Sequence, residues 1–241
     1  MSGVGRRVVV LCVALAWVAT TRTVRSSDAQ DGTSSHSSSL HGRITLLMSD
    51  GSTAPAQDAV VWLPGAARIA PAASPAKPSM ASDQKRFVPH VVAVPTGTTV
   101  DFPNLDKIFH NAFSVSPGNQ FDLGLYRKGA SRSATFAAPG VVRVYCNIHQ
   151  DMAAYVVVVA PGAMAITDAS GAYRIAGLRP GRQAIKVWHE MTGEAEDAVD
   201  LAAGEDGTWE LTLDARRYRR QPHLNKDGKP YPPVKKDADR Y

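Results

Sequence analysis

The residues best suited to chemistry lie close together in the second half of the chain. Residues 146–152 read CNIHQDM, which spaces a thiol, an imidazole and a thioether at three-residue intervals. A second imidazole, His110, follows a strand end and turn at 102–106. Two imidazoles, one thiolate and a weak axial methionine form the ligand set of a mononuclear blue-copper centre. The spacing therefore predicts a copper site made by His110, Cys146, His149 and Met152.

Each donor in this set has a chemical reason to be present. The soft Cys146 thiolate binds Cu(II) covalently, the imidazoles bind both oxidation states, and Met152 binds weakly and favours Cu(I). A zinc site would instead want a fourth nitrogen, oxygen or thiolate ligand. Covalent haem is excluded because the chain has no C-x-x-C-H segment. The remaining alternative is a buried, inert cysteine with histidine and methionine nearby by chance.

The start of the chain predicts export. Arg6 and Arg7 precede the apolar stretch 8–19, which is shorter than the about 20 residues that a membrane-spanning helix needs. A charged start followed by a short apolar stretch is typical of a secretory signal. We expect a signal peptide over 1–29, which carries Cys12 away and leaves Cys146 alone in an oxidising compartment. The expected location is the bacterial periplasm, with no transmembrane segment after signal removal.

The formal charge of +5 is unevenly distributed along the chain. The predicted signal takes away four Arg and one Asp, and residues 216–241 hold nine Lys/Arg against three Asp, so the body from 30 to 215 is about −4. The tail 214–241 has no periodicity, so we expect it to be disordered, with His223 in solvent. The alternative is that the basic tail docks an acidic surface. We expect no nucleic-acid partner for an exported protein.

The elements that must position the ligands are predicted to be β-strands. No stretch of 80–160 holds a helical period for three turns, and short apolar runs alternate there with Gly and Pro turns. One such run, Val141–Tyr145, delivers Cys146 to a loop. The expected fold class is all-β, and no later segment is apolar enough to span a membrane.

Strand counting predicts how the chain is divided. The short β patterns at 42–65 and after 161 give about seven strands together, the usual number for a β-sandwich. We therefore expect a discontinuous outer domain with the middle domain inserted, the alternative being three consecutive pieces. The predicted segments are a signal (1–29), a flexible lead-in (30–41), first outer strands (42–65), an Ala/Pro linker (66–79), an inner β domain (80–160), the remainder of the outer sandwich (161–213) and a basic tail (214–241).

The inner domain resembles the cupredoxins. The C-x2-H-x2-M spacing is that of the amicyanins, and further motifs follow in order: Gln84-x2-Phe87-x-Pro89, Gly97-Thr98-x-Val100, Phe102-x-Asn104-x-Asp106, His110-Asn111 and Pro139-Gly140-Val141. The resemblance implies a Greek-key β-sandwich with one type 1 copper held by His110, Cys146, His149 and Met152. It also implies that Asn111 helps tie the two ligand loops together. His149 is then the electron port near the surface, ringed by apolar side chains.

The flanking segments resemble a carboxypeptidase-regulatory-like module. The matching residues are Gly42-x-Ile44, Ala59-Val60-Val61-x-Leu63 and Asp168-x2-Gly171-x-Tyr173-x-Ile175-x2-Leu178-x-Pro180-Gly181. This resemblance implies a second β-sandwich of immunoglobulin or prealbumin type. The whole arrangement looks like bacterial periplasmic proteins labelled methylamine-utilisation proteins.

The expected function is electron transfer without catalysis. The sequence has no G-x-S-x-G, P-loop or H-E-x-x-H motif, and no second paired-histidine motif for a catalytic copper. The expected partner is a redox protein such as a c-type cytochrome or a periplasmic dehydrogenase. Two alternatives remain open at this point: a periplasmic copper-binding or delivery protein without redox traffic, and a structural binding module with incidental copper.

Overall fold

The computed structural model describes residues 37–66 and 77–232, and every helix or strand element in these ranges is a β-strand. The all-β prediction is thus confirmed. The predicted signal, most of the lead-in, the middle of the linker and the last tail residues lie outside the described residues. The strands are β1 (Ser38–Leu47), β2 (Thr53–Pro55), β3 (Val60–Pro64), β4 (Ala81–Asp83), β5 (Arg86–Val88), β6 (Val91–Pro95), β7 (Thr98–Pro103), β8 (Phe113–Ser114), β9 (Phe121–Asp122), β10 (Ser131–Phe136), β11 (Gly140–Tyr145), β12 (Ala153–Val159), β13 (Gly162–Ile166), β14 (Ala172–Leu178), β15 (Gly181–His189), β16 (Gly193–Leu201), β17 (Asp206–Thr208) and β18 (Leu211–Asp214).

The inner sheet carries the candidate ligands. It runs in the order β6-β12-β11-β8-β9, with β12 antiparallel to β11 and parallel to β6. Strands β7 and β10 form a separate antiparallel pair. Along β11 Val142 and Val144 are buried, while Arg143 between them is exposed. This alternation follows from the period of two residues in a strand, and it directs the valines to an apolar cluster shared with Phe102 and Phe136.

The outer sheets join residues from both sides of the inner domain. Strand β1 pairs antiparallel with β14 and β2 and parallel with β17 and β18. A second sheet has the order β13-β3-β15-β16. Segments far apart in sequence therefore share sheets, with Leu40 opposite Ile175 and Val61 opposite Val187. The predicted domain boundaries, and the likeness of this part to an immunoglobulin or prealbumin sandwich, stay predictions.

A third apolar cluster lies between the inner and outer sheets. Strand β12 turns Val156 and Val158 toward the inner core, whereas Val157 and Val159 join Val60, Trp62, Val91 and Trp188 in this cluster. Because both faces of β12 are covered, its sequence reads AAYVVVV rather than alternating. Residues 37–66 and 77–232 accordingly form one compact unit.

The hydrophobic pattern gives no indication of β16. Its sequence GEAEDAVDL holds acidic residues at most outward positions, so its apolar alternation is weak. It lies at the edge of its sheet, where charged side chains are common because they discourage pairing with another chain. Among the described residues no helix is long and apolar enough to cross a membrane.

Candidate metal centre

The ligand loop, residues 146–152, connects two antiparallel strands of the inner sheet. Strand β11 ends at Tyr145 and β12 begins at Ala153, and these two residues are paired. Within the loop the Cys146 amide donates to the Met152 carbonyl (3.2 Å), and the Met152 amide donates to the His149 carbonyl (3.1 Å). These bonds close the loop at its base and bring its ends together. The sheet thus determines where Cys146 enters the site.

The structure brings together the thiol and both predicted imidazoles. His110 is fully buried, and its backbone bonds in both directions with Tyr126. Its Nδ1 lies 3.9 Å from Cys146 Sγ, and His149 Nδ1 lies 3.5 Å from the same sulfur. Donor atoms of the three side chains all lie within 4.8 Å of one another. Such a convergence of one sulfur and two ring nitrogens can hold a single metal ion.

Asp106 orients the buried imidazole. Its Oδ2 lies 2.7 Å from His110 Nε2, so Nε2–H donates to the carboxylate and Nδ1 is left facing Cys146. Burial by itself would raise the pKa of Asp106, but hydrogen bonds from Lys85, His110 and Gln84 outweigh it and the pKa is lowered. A carboxylate behind a ligating histidine fixes the ring and raises its basicity. In the sequence Asp106 stands out only within a cupredoxin-like motif, and the signal for its role is its place in the strand-end turn before His110.

Burial sets the protonation of the candidate ligands. Burial lowers the pKa of His110, which favours the neutral imidazole that a metal binds. It raises the pKa of the Cys146 thiol, opposed by hydrogen bonds from the backbone of Ile148, Asn111 and His149. These amides already point at the sulfur and favour its thiolate. A metal cation then favours the thiolate further.

The donor set fits copper in its chemistry. Met152 is buried in the same apolar cluster as Cys146, which is a free cysteine with no disulfide partner among the described residues. A thiolate, two imidazoles and a thioether in apolar surroundings suit copper better than zinc. Their assignment as copper ligands stays a prediction.

Asn111 contacts both ligand loops. Its side chain is buried, its Oδ1 accepts from the Asn147 amide (3.2 Å), and its Nδ2 donates to Asp122 Oδ1 (2.7 Å). Asn111 follows His110 directly, whereas Asn147 follows Cys146, so one side chain joins the two. This contact is the one that the cupredoxin resemblance implies.

His149 lies at the edge of the site. It is half-buried, while the neighbouring Ile148 is 46% exposed and Phe109, next to His110, is 49% exposed. An exposed apolar side chain is therefore adjacent in sequence to each of the two candidate ligand histidines.

Part of the predicted tail contacts the site, whereas residues 233–241 lie outside the described residues. Residues 214–232 are described, and His223 stacks on Tyr145 with ring centroids 3.9 Å apart rather than facing solvent. The Tyr231 hydroxyl donates to the Cys146 carbonyl (2.8 Å). Composition shows that this segment is polar and unperiodic, but it cannot show that an aromatic ring has a stacking partner elsewhere. The sequence therefore does not predict His223, Lys226 and Tyr231 as neighbours of the site.

Comparisons with known proteins find likeness only at the level of structure. No protein-family model and no curated protein matches the chain. The copper-containing nitrite reductase NirK from Thermus scotoductus SA-01 is 27% identical over 38% of this chain and 24% of its own, with a TM-score of 0.34. A purple cupredoxin from Nitrosopumilus maritimus is 24% identical over 34% and 98%, with a TM-score of 0.30. An oxidised amicyanin variant is 21% identical over 42% and 99%, with a TM-score of 0.33.

The matched portion is a minor part of this chain. It also spans about a quarter of the nitrite reductase, so that protein's activity is not carried over. Because these TM-scores are low, the prediction of a metal site rests on the positions of the side chains. Part of this chain is thus similar to solved structures of the cupredoxin type.

Proposed function

We propose that the protein is an exported electron carrier with one type 1 copper per chain, held by His110, Cys146, His149 and Met152. The observation that carries this proposal is the approach of two Nδ1 atoms to one buried cysteine sulfur, at 3.9 and 3.5 Å. Copper bound there would supply one-electron exchange between Cu(I) and Cu(II).

The surrounding residues are arranged to hold the ligands still. Asp106 restrains the His110 ring, Asn111 joins the two ligand loops, and the backbone bonds of the ligand loop close it. A site that changes little between oxidation states exchanges electrons with little rearrangement. His149, next to exposed apolar side chains, is the proposed point of electron exit.

We further propose that the protein is periplasmic and not an enzyme, and that its partner is a redox protein such as a c-type cytochrome or a periplasmic dehydrogenase. The exposed Ile148 and Phe109 support a protein partner, because apolar surface beside the ligands would be covered on docking.

The test is a visible absorption and electron paramagnetic resonance study of the copper-loaded protein. We expect an intense thiolate-to-copper absorption band that is lost in Cys146→Ser and kept in His90→Gln, a matched histidine variant outside the cluster. A colourless Cu(II)-loaded protein would refute the proposal. Copper release to an acceptor without fast reduction by a cytochrome would instead indicate copper delivery.

A further inference from the structure

The chain beyond the last strand returns to the ligand loop. We call residues 222–231 the C-terminal strap. Its Tyr231 hydroxyl donates to the Cys146 carbonyl (2.8 Å), its His223 ring stacks on Tyr145 at 16° between planes, and its Lys226 amide donates to Asn147 Oδ1 (3.0 Å). Consecutive residues 145, 146 and 147 are thus each contacted by a different strap residue. The strap lies against the point where β11 delivers Cys146.

A closed ring of hydrogen bonds joins the strap to both ligand loops. Lys226 Nζ pairs with Asp122 Oδ2 (2.7 Å), and Asp122 Oδ1 accepts from Asn111 Nδ2 (2.7 Å). Asn111 Oδ1 accepts from the Asn147 amide (3.2 Å), and Asn147 Oδ1 accepts from the Lys226 amide. The loop after His110, the loop after Cys146, strand β9 and the strap therefore restrain one another.

The strap has internal order that supports these contacts. Asn225 Oδ1 accepts from the amides of Asp227 and Lys229, and the Asn225 amide donates to the Lys229 carbonyl (2.9 Å). This turn brings His223 and Tyr231 together, with ring centroids 5.1 Å apart and the Tyr231 hydroxyl 3.3 Å from His223 Nδ1. The pair thus reaches residues 145 and 146 as a unit.

We propose that the strap is a working part of the metal centre, with Tyr231 and Lys226 as positioning residues that keep the ligand loop in its metal-binding geometry. The proposal rests on the proposed function only in taking the bound ion to be copper. Since the hydrogen bond to residue 146 is made by the ligand's own backbone, losing it gives Cys146 freedom to leave the site. The expected results are faster opening of the ligand loop and faster metal loss.

The main experiment compares full-length Tyr231→Phe with the wild-type protein. In the metal-free proteins we measure amide hydrogen exchange over residues 146–152 by mass spectrometry. In the metal-loaded proteins we measure the rate of metal loss to a chelator, using Cu(II) and, separately, Co(II). One part-buried neutral hydrogen bond corresponds to about a three- to tenfold effect, so we expect exchange and metal loss to quicken by that factor. We also expect the thiolate-to-metal absorption to shift.

A lysine series separates positioning from bulk charge. Lys226→Met should speed loop exchange by about twofold, a smaller effect because its pair with Asp122 is more than a third exposed. Lys226→Arg should restore the wild-type rate. Lys229→Met is the matched control, because the Lys229 side chain makes no ion pair within the described residues.

Each result decides one of the two proposals. If Tyr231→Phe, folded by circular dichroism, exchanges amides and loses metal at the rate of Lys229→Met, the strap proposal is overturned, even if the wild-type protein is blue. If the Cu(II)-loaded wild-type protein is colourless but Tyr231→Phe still quickens both loop exchange and Co(II) loss, the copper function is overturned and the strap proposal is supported.

Discussion

Replacing Asn111 by alanine removes the side chain that joins the two ligand loops. The variant loses the hydrogen bond to the Asp122 carboxylate and leaves the Asn147 amide without its side-chain acceptor. Alanine fits the space and adds no polar group. The change therefore tests the connection between the loops rather than the packing of the core.

The expected loss of stability follows from the two bonds. A hydrogen bond to a charged group contributes about 1.5–3 kcal/mol and a neutral one about 0.5–1.5 kcal/mol. Asp122 keeps its bonds from the Gly124 amide and from Lys226, so the lower part of the combined range applies. We expect a loss of about 2–3 kcal/mol, which lowers the melting temperature by about 5–10 °C for a unit of this size.

The assay pairs thermal unfolding of the metal-free protein with the absorption spectrum of the copper-loaded protein. Asn119→Ala is the matched control, because Asn119 also exchanges two hydrogen bonds, both with Ala138. Ala138 precedes β11, whereas Cys146 follows it, so the control lies at the other end of that strand. It should lose comparable stability and keep the wild-type spectrum.

Two results would contradict this reasoning. If Asn111→Ala has the melting temperature of the wild type, these hydrogen bonds do not stabilise the contact between the two ligand loops. Equal spectral changes in Asn111→Ala and Asn119→Ala would show that the copper site responds to general destabilisation.

Further predictions concern the charges and turns around the site. The hydrogen bond with Glu190 raises the pKa of His90 above its ordinary 6.5, so its contribution to stability is complete below that pH and is lost as the pH rises through the raised value. The same bond lowers the pKa of Glu190 below 4.5. In chemical denaturation, Glu190→Gln should therefore cost about 0.5–1 kcal/mol of stability at pH 5.5 and much less at pH 9. An equal cost at both pH values would contradict the pairing. Asp106→Ala removes the acceptor of His110 and of the Gln84 and Lys85 amides, so it should cost about 2 kcal/mol and shift the copper absorption band. Asp106→Asn keeps an acceptor and should do less, and a wild-type band in Asp106→Ala would refute the orienting role. Gly171→Ala should cost about 2 kcal/mol in thermal unfolding, because φ is +77° and a Cβ would meet a carbonyl oxygen of β1, with no change of colour; wild-type stability would exclude this backbone constraint.

The sequence best predicted the structural features that depend on residues close together in the chain. The predicted run Val141–Tyr145 differs from β11 by one residue. This agreement follows from the local alternation of apolar and polar residues. The hydrophobic pattern of the sequence did not indicate edge strand β16, because an exposed strand needs no alternation of apolar and polar residues.

For the candidate site, the sequence by itself determined the donor types and the spacing of the ligand loop, because residues 146–152 lie on one short connection. Only the tertiary structure decided what surrounds them. Cys146 meets His110 across 36 residues, Tyr231 across 85, and Lys226 meets Asp122 across 104. The periodicity of apolar residues indicates which face of a strand is buried. Contacts at these separations depend instead on how whole sheets pack and on where the chain returns to the site. The same limit applies to the described part of the tail: its polar composition does not indicate that His223 stacks on Tyr145, that Tyr231 contacts Cys146 or that Lys226 pairs with Asp122.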